Sequence, residues 1–253
     1  MMGQFIYRIL LISIFAFTAV VIASLFLVTA PYGRYSRKGW GLAIRAKLGW
    51  LIMEFPAFFI MIFMFITSNR QTSPVAIVFV SMWTIHYAHR TFIYPFMMRG
   101  GNKRFPLLII LFALIFNTIN GYINGYYLFS LSPLYDLRWF FDPRFIAGSI
   151  IFFSGMTINL HSDHILRNLR RPGKNGYRIP RRGLFKYISC PNYFGEIIEW
   201  TGWAIATWSL PGLAFALFTF ANLAPRASSN HRWYLDSFQD YPKSRKALIP
   251  FIY

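Results

Sequence analysis

The stretch GWLIMEFPAFFIMIF, residues 49–63, is a run of large apolar side chains with one acidic residue, Glu54, inside it. Such a run is typical of a helix that lies in the hydrocarbon of a membrane. An ionisable side chain there costs roughly 2.5 to 3.5 kcal/mol on insertion scales, and it normally faces the interior of a helix bundle or a wet cavity. The stretch therefore predicts a membrane helix whose glutamate points into the protein.

The whole chain has the composition of an integral membrane protein. Of its 253 residues, 56% are hydrophobic and 20% aromatic, and 13% are charged, so the apolar surface exceeds what one soluble core of this size buries. Apolar segments close to the roughly 20 residues that a bilayer requires recur along the chain. They predict an all-α bundle of seven transmembrane helices, at residues 5–30, 48–67, 74–97, 106–130, 145–166, 194–208 and 211–229.

The first and sixth of these segments differ from the others. The first has no convincing cleavage site and is too long for the core of a signal peptide, so we expect it to be retained. The sixth is short, carries Glu196 and Glu199, and meets the seventh through the tight turn SLPG, residues 209–212. It is therefore the weakest prediction of a complete span.

The placement of the positive charge predicts the orientation of the chain. The net charge is +18, and Lys and Arg cluster in alternate loops, within residues 34–47, 99–104, 167–186 and 226–246. Cytoplasmic loops carry such an excess, which puts the N-terminus outside, in the periplasm or lumen, and the C-terminus in the cytosol. For most of these residues the plain interpretation is topological charge beside anionic lipid, and we expect no nucleic acid as a partner.

Several kinds of site are absent from the sequence. The single cysteine, Cys190, excludes an internal disulfide and a CxxC metal site, and its neighbours do not indicate a nucleophile. The nearest metal pattern is HYAHR, residues 86–90, where two histidines stand three apart without a third ligand. GxGxxG, Walker and GxSxG motifs are missing as well. We expect no metal ion and no soluble nucleotide-binding fold.

Polar residues recur at helical spacing near the predicted cytosolic ends of four helices. The four polar stripes are Tyr87, Arg90 and Tyr94; Asn159, Asp163 and Arg170; Asn192, Glu196, Glu199 and Trp203; and Arg226, Asn230 and Tyr234. Since ionisable groups at membrane depth face a bundle interior or a wet cavity, we expect the stripes to share one cavity open to the cytosol. The alternative is a set of unrelated hydrogen bonds that hold helices together.

A basic loop indicates what kind of ligand the cavity binds. It is ILRNLRRPGKNGYRIPRRGLFKYISCPNYFGEIIEW, residues 165–200. It combines arginines with turn-forming Pro-Gly and Asn-Gly pairs and with the aromatic residues Tyr177 and Tyr187. Arginine offers a planar fork of donors for phosphate oxygens, and a tyrosine ring can stack on a purine or pyridine ring. The loop is consistent with a lid over a phosphorylated cofactor.

Five segments of the chain together resemble the steroid 5α-reductase family, and within it the type 2 enzyme most. They are HYAHRTFIYPF (86–96), GMTINLHSDHILRNLRRPG (155–173), YRIPRRGLFKYISCPNYFGEIIEW (177–200), ATWSLPGLAFALF (206–218) and DYPKSRKALIPFIY (240–253). The likeness is dense from about residue 82 to the end. Before that, MEFP at residues 53–56 is the main anchor.

The resemblance implies one multi-pass reductase domain over residues 1–253. Residues 1–100 would supply helices 1–3 with the steroid-polarising pair, and residues 101–253 would supply helices 4–7 with most of the NADPH site. The implied reaction is NADPH-dependent reduction of the Δ4 double bond of 3-oxo-Δ4 steroids to 5α-dihydrosteroids, with hydride passing to C5. NADPH would enter from the cytosol and the steroid from the lipid bilayer. No obligate protein partner is implied, and the membrane is a bacterial inner membrane or that of the endoplasmic reticulum.

By this resemblance the catalytic pair is Glu54 and Tyr87. An enone accepts hydride only if the negative charge that grows on its oxygen is stabilised, and a protonated carboxylic acid and a phenol can donate hydrogen bonds to it. The apolar surroundings of Glu54 favour that neutral form. The alternative for Glu54 is a structural bond between helices.

The resemblance also assigns the ligand-binding residues. The cofactor residues are Arg90, Asn159, Asp163, Arg170, Tyr177, Arg178, Asn192, Glu196, Arg226, Asn230 and Tyr234. The steroid pocket would use Trp50, Phe116 and Phe218, for which core packing is the alternative. The chain departs from the type 2 pattern at Met53, Met98, Asn222 and Asn230, which leaves the identity of the steroid open.

Other classes of membrane protein would use some of the same features. A transporter also lines a midplane cavity with charged residues, but it usually shows paired repeats or broken helices. Related membrane reductases of polyprenols or enoyl lipids, and a membrane methyltransferase, share the basic loop and the terminal helices. The pair of Glu54 and Tyr87 separates these enzymes from one that acts on an enone ketone.

Overall fold

The computed structural model describes residues 2–31, 33–37, 39–99, 102–169 and 176–253. Within these ranges the chain is mostly helical. The α-helices are α1 Met2–Leu27, α2 Ala46–Ile66, α3 Pro74–Ala88, α4 Tyr94–Met97, α5 Leu107–Tyr126, α6 Pro143–Leu169, α7 Pro191–Thr207 and α8 Leu210–Ser237. Each of the seven predicted segments overlaps one of these helices, and α3 and α4 together account for the third segment.

Shorter elements connect the helices. One π-helical turn, His89–Ile93, joins α3 to α4, and another, Tyr127–Leu131, extends α5. Short 3₁₀ turns lie at Gly33–Tyr35, Leu137–Phe141 and Gly183–Lys186. Strands β1 (Ala43–Arg45) and β2 (Arg104–Pro106) pair in antiparallel fashion, with Ala43 opposite Pro106. This pair ties the segment before α2 to the segment before α5.

Four helical stretches are long and apolar enough to cross a membrane. They are Met2–Leu27, Ala46–Ile66, Leu107–Leu131 and Pro143–Leu169. Large apolar side chains on them are exposed, among them Ile12, Phe63, Phe112 and Ile150, which is unfavourable in water and favourable against lipid. The structure therefore supports a helical membrane protein, while the number of spans and the orientation of the termini stay predictions.

Local sequence signals explain where several helices begin. Ser73 caps α3, because its hydroxyl accepts a hydrogen bond from the backbone N–H of Ala76 at 3.4 Å and Pro74 follows it. Ser209 caps α8 in the same way, accepting from Gly212 N at 3.1 Å. Between α7 and α8, Trp208 adopts a left-handed conformation with φ of 44°. The SLPG turn thus ends α7 and starts α8 within three residues.

Four glycines bring α6 and α7 into backbone contact. A Cβ atom at Gly155 of α6 would overlap the backbone nitrogen of Glu199 in α7, and one at Gly148 would overlap that of Ala206. In return, Gly195 and Gly202 of α7 face the α6 backbone. Small residues at such spacing let helices approach closely in a membrane. The approach aligns the polar stripes of the two helices.

Aromatic residues fill the interior beside this helix pair. Trp83, Trp200 and Trp203 are at most 1% exposed and lie with ring centroids 5.3 to 6.5 Å apart. Two of their indole N–H groups have partners, since Trp83 donates to the carbonyl of Ala57 at 2.8 Å and Trp203 to Asn124 Oδ1 at 3.0 Å. The three tryptophans therefore form a closely packed aromatic cluster next to the candidate site.

Candidate active site

A cavity of about 720 Å³ collects side chains from α1, α2, α3, α5, α6, α7 and α8. This volume lies within the range of small-molecule sites, roughly 300 to 1,000 Å³. The prediction of one shared cavity is consistent with this arrangement, because most predicted site residues line it. They are Glu54 and Tyr87; Arg90, Asn159, Asp163, Tyr177, Asn192, Glu196, Arg226, Asn230 and Tyr234; and Trp50, Phe116 and Phe218.

Some predicted residues fall elsewhere. Arg170 lies outside the described residues, and Arg178 is exposed and is not part of the cavity wall. The third polar stripe only partly faces the cavity, so the expectation for Glu199 and Trp203 is wrong. Both residues are fully buried and neither is part of the cavity wall, because they pack against other side chains of the bundle. Glu199 Oε1 instead contacts His86 Nδ1 at 2.7 Å.

Glu54 lines the cavity and has partners from α5 and from the π-helical turn after α3. Glu54 is 8% exposed. Asn117 of α5 donates from Nδ2 to Glu54 Oε2 at 3.3 Å, and Arg90 Nη2 lies 3.6 Å from Glu54 Oε1. The carboxyl group is thus oriented from both sides, and this arrangement was not predicted from the sequence.

Arg90 reaches Glu54 because the helix changes its pitch. Residues 89–93 form a π-helical turn directly after α3, and such a turn shifts the following side chains around the helix axis. The guanidinium of Arg90 also lies 4.4 Å from the ring centroid of Trp50 and 5.0 Å from that of Tyr94. Stacking on two rings holds the arginine at the edge of the cavity.

Tyr87 stands in the last turn of α3, on the same cavity as Glu54. It is 3% exposed and is packed between the rings of His86, Trp83 and Trp200, at centroid distances of 5.0, 5.1 and 5.8 Å. These rings leave little freedom for the phenol. The site therefore brings a carboxyl and a phenol from two neighbouring helices into one largely buried space.

The α6–α7 side of the cavity carries a chain of polar contacts. Asn159 donates to the backbone carbonyl of Asn192 at 2.9 Å and to Glu196 Oε2 at 3.4 Å. Asn192 in turn donates to Asp163 Oδ1 at 3.2 Å. Amides and carboxylates that alternate in this way can donate to and accept from the hydroxyl and amide groups of a ligand.

The α8 side of the cavity joins the loop that follows α1. Arg226 donates to the Tyr193 hydroxyl at 3.2 Å and to Asn222 Oδ1 at 3.3 Å, and the Tyr35 hydroxyl donates to Asn230 Oδ1 at 3.3 Å. Burial raises the pKa of Tyr35 to about 12, so its phenol stays neutral and can donate. This contact brings the loop after α1 to the cavity.

Arg34 forms a second, unpredicted contact in this region. Its guanidinium lies 4.8, 4.2 and 4.9 Å from the ring centroids of Tyr177, Trp233 and Tyr234. The sequence interpretation treated Arg34 as topological charge. The sequence did not predict this contact, because the three rings lie 143 to 200 positions away from Arg34 in the chain.

The opposite wall of the cavity is apolar and aromatic. Phe116 of α5 stacks on Phe218 of α8 at a centroid distance of 3.7 Å with planes 16° apart, and Phe17 of α1 stacks on the same ring at 6.0 Å. All four residues that were noted as departures from the type 2 pattern, Met53, Met98, Asn222 and Asn230, line the cavity. This wall is suited to a flat apolar molecule.

No group of three or more potential metal ligands occurs in the part of the chain that the structure describes. Cys190 lies on the cavity, but burial raises the pKa of its thiol to about 12, which makes it a poor nucleophile.

The fold and the site define a class of protein, a helical membrane protein with a buried ligand cavity. The carboxyl group of Glu54 and the phenol of Tyr87 lie in this cavity, between an aromatic wall and a polar wall that carries arginines. Residues 103–253 match the family model described as 3-oxo-5-alpha-steroid 4-dehydrogenase. The chain belongs to this family of oxidoreductases, as the resemblance predicted.

Curated relatives cover most of the chain. It is 47% identical over 224 residues to 3-oxo-5-alpha-steroid 4-dehydrogenase 1 of Macaca fascicularis, which covers 88% of this chain and 84% of the relative. The human protein of the same name is 46% identical over 224 residues, covering 88% and 86%. Steroid 5-alpha-reductase DET2 of Arabidopsis thaliana is 42% identical over 231 residues, covering 88% of each chain. The special likeness to the type 2 enzyme stays a prediction.

Proposed function

We propose that this chain reduces the Δ4 double bond of 3-oxo-Δ4 steroids to 5α-dihydrosteroids with NADPH. The observation that carries the proposal is the meeting of Glu54 and Tyr87 in one buried cavity whose remaining walls are aromatic on one side and polar and cationic on the other. Relatives named for this steroid reaction cover most of the chain.

The two catalytic side chains act on the oxygen of the enone. As hydride adds to C5, the electrons of the Δ4 bond move toward the C3 oxygen, and the resulting enolate takes a proton at C4. Hydrogen bonds from Glu54 and Tyr87 to that oxygen strengthen as its charge grows, and removal of one such donor typically costs about 2.7 to 4 kcal/mol in the barrier. NADPH supplies the hydride when it is bound.

The residues of the polar walls fit a phosphorylated dinucleotide. Arg34 and Arg167 both line the cavity, and Nη1 of each is buried without a hydrogen-bond partner among the described residues. Buried guanidinium N–H groups of this kind are suited to phosphate oxygens. We propose that they act with Arg226, while Asn159, Asp163, Asn192 and Glu196 bind the ribose and the nicotinamide. Arg178 and Arg170 remain proposed members of the cofactor site.

The substrate would lie against the stack of Phe17, Phe116 and Phe218, with its C3 oxygen toward Glu54. Trp50, which stacks with Arg90, would close the end of the pocket. Rings of this kind bury the flat apolar faces of a steroid.

We also propose the membrane arrangement that the charge pattern predicts. Seven spans put the N-terminus outside and the C-terminus in the cytosol, so NADPH enters from the cytosol and the steroid enters from the bilayer. The membrane is a bacterial inner membrane or that of the endoplasmic reticulum. No obligate protein partner and no nucleic acid enter this proposal.

The test is product analysis with a panel of substrates. Purified protein in detergent is incubated with NADPH that is deuterated at the transferring position. Each reaction contains one candidate substrate: a 3-oxo-Δ4 steroid, a polyprenol or an enoyl lipid. We expect a 5α-dihydrosteroid with deuterium at C5. Reduction of the polyprenol or the enoyl lipid, with no steroid product, would replace the proposal by the related reductase activity.

A further inference from the structure

Asn117 is a buried polar residue that the proposed reaction leaves unexplained. It stands in the middle of α5, is 7% exposed, and lines the cavity. Its Nδ2 makes two contacts with α2, one with the backbone carbonyl of Met53 at 2.7 Å and one with Glu54 Oε2 at 3.3 Å. A single side chain on a different helix thus holds both the backbone and the carboxyl group at the catalytic glutamate.

The orientation of the Asn117 amide follows from its surroundings. A backbone carbonyl can only accept a hydrogen bond, so the atom of Asn117 that faces Met53 must be the nitrogen. The same nitrogen carries two N–H groups and can therefore donate to Glu54 as well. The amide cannot turn over without losing its bond to Met53, which fixes a donor against one oxygen of Glu54.

The α2 backbone around Glu54 accepts hydrogen bonds from two other helices. Pro56 lies inside α2, two residues after Glu54, and its missing N–H leaves the carbonyl of Ile52 without its helical partner. Donors from neighbouring helices hold the carbonyls on both sides of the glutamate: Asn117 holds that of Met53, and the Trp83 indole holds that of Ala57 at 2.8 Å. The direction of the Glu54 side chain therefore depends on two other helices.

The contacts also distinguish the two oxygens of Glu54. Oε2 is taken by Asn117, while Oε1 lies on the side of Arg90, at 3.6 Å from its Nη2. Each oxygen of Glu54 therefore faces a donor from another part of the chain, the amide of Asn117 at Oε2 and the guanidinium of Arg90 at Oε1. The carboxyl group is held between these two groups.

We infer that Asn117 is a positioning residue that holds the Glu54 carboxyl group in place for its contact with the C3 oxygen of the steroid. This inference rests on the proposed function, because it acts through Glu54 and has no purpose if Glu54 does not polarise the substrate. A positioning error of about 1 Å at a reacting group can cost on the order of a hundredfold in rate. Asn117 thus influences turnover without touching the reacting atoms.

The test compares Asn117→Leu with Asn117→Ala. Leucine keeps the branched shape of asparagine and its number of side-chain heavy atoms but lacks a donor, while alanine also leaves a cavity. We expect both variants to lower kcat by about tenfold to a hundredfold, with the dissociation constant of NADPH and the KM of the steroid within about twofold of the parent. If Asn117→Leu restores kcat, the residue serves packing alone and the inference is overturned.

Asn120→Leu is the matched control for the loss of a buried asparagine on the same helix. Asn120 is fully buried one turn further along α5, contacts Asn124, and does not line the cavity. We expect its kcat to stay near that of the parent even if its thermal unfolding temperature falls. An equal loss of kcat in Asn120→Leu and Asn117→Leu would overturn the inference, because general weakening of α5 would then explain both.

Combination with Glu54→Gln separates the inference from the function on which it rests. If Asn117 acts through Glu54, Asn117→Leu should cause little further loss of kcat in the Glu54→Gln background. Independent, multiplying losses overturn the inference and leave the role of Glu54 intact. Near-normal turnover of Glu54→Gln alone overturns the proposed function, whatever Asn117→Leu does.

Discussion

The two sides of the cavity are built in different ways. Where α6 meets α7, glycines bring the backbones together and the polar side chains contact one another in a chain that runs from Asp163 to Asn192 and on through Asn159. Where α2 meets α5, one carboxyl group stands in an apolar surround and is held by single groups from two other helices. The first side is suited to a ligand with many polar groups, and the second to one oxygen of an apolar ligand.

The largest effect is expected where the α6–α7 side depends on backbone contact. Gly155→Val places a side chain where the backbone of Glu199 lies, so the helices must separate and the polar chain loses its register. Overpacking of this kind costs about 1 to 3 kcal/mol and occasionally more. We expect little folded protein after extraction in detergent, as measured by size-exclusion chromatography and thermal unfolding.

Gly121→Ala of α5 is the control for the glycine substitution. A Cβ atom there would meet the Cβ atom of Ile60 at 3.4 Å, which is an ordinary contact. Alanine also favours a helix by roughly 1 kcal/mol over glycine. Normal folding of Gly155→Val would show that the close approach of α6 and α7 is not required.

The next effect concerns the cationic residues of the polar side. Arg226 lines the cavity, so Arg226→Ala should raise the apparent NADPH constant more than the steroid constant. Charge-assisted contacts are worth about 1.5 to 3 kcal/mol, or roughly tenfold to over a hundredfold. Initial rates at varied NADPH and varied steroid give the two constants.

Arg178→Ala sharpens this comparison. Arg178 is exposed and outside the cavity wall, so water would screen its contact with a phosphate. Its replacement should therefore raise the apparent NADPH constant only severalfold. A larger change in Arg178→Ala than in Arg226→Ala would contradict this ranking. Equal damage to both substrate constants in Arg226→Ala would point to folding instead.

A smaller effect is expected on the aromatic side. Phe218→Leu keeps an apolar residue but removes the ring that stacks on Phe116 and Phe17. Aromatic pairs contribute about 0.5 to 1.5 kcal/mol beyond burial, so the steroid KM should rise about twofold to tenfold. The NADPH constant should not change. Phe220→Leu, two residues away, half-exposed and outside the cavity wall, is the control and should match the parent.

The smallest change is expected at Cys190, which adjoins the polar side. Its pKa is raised to about 12 by burial, and the reactive thiolate forms only as pH rises through the pKa. At pH 8 only about one molecule in ten thousand carries it. We expect no alkylation of the folded protein by iodoacetamide at pH 8, and full alkylation after denaturation, measured by mass. Because Cys190 is the single cysteine, any native labelling would contradict its burial.

The same contrast explains what the sequence could predict. On the α6–α8 side, polar residues recur at the helical repeat, so Asn159, Asp163, Asn192 and Glu196 could be placed on one cavity from their spacing. Spacing gives the face of a helix but not its depth, which is why Glu199 was assigned to the cavity although it is buried behind it.

On the α2–α5 side the decisive contacts join distant parts of the chain. Asn117 and Arg90 lie 63 and 36 positions from Glu54, and no local repeat connects them. The reach of Arg90 also depends on the π-helical turn at His89–Ile93, which the apolar pattern of that segment does not reveal. The asparagine that follows the apolar run of residues 107–116 in α5 was the available signal, since a buried amide requires a partner.

The most direct test of the central claim is a double-mutant cycle of Glu54→Gln and Tyr87→Phe. Initial rates of enone reduction are measured at saturating NADPH, and cofactor binding is checked separately for each variant. Glu54→Gln keeps an N–H donor of similar shape but lacks the acidity that strengthens the bond to the enolate, so kcat should fall steeply while NADPH still binds. Tyr87→Phe removes the second donor and should cost about 2.7 to 4 kcal/mol in the barrier.

Because both donors serve one oxygen, the double variant should be less impaired than the product of the two single losses. That result would support a shared carbonyl oxygen as the target of the acid and the phenol. Near-normal turnover of Glu54→Gln, or losses that multiply cleanly, would contradict it and leave Glu54 as a structural contact between α2 and α5.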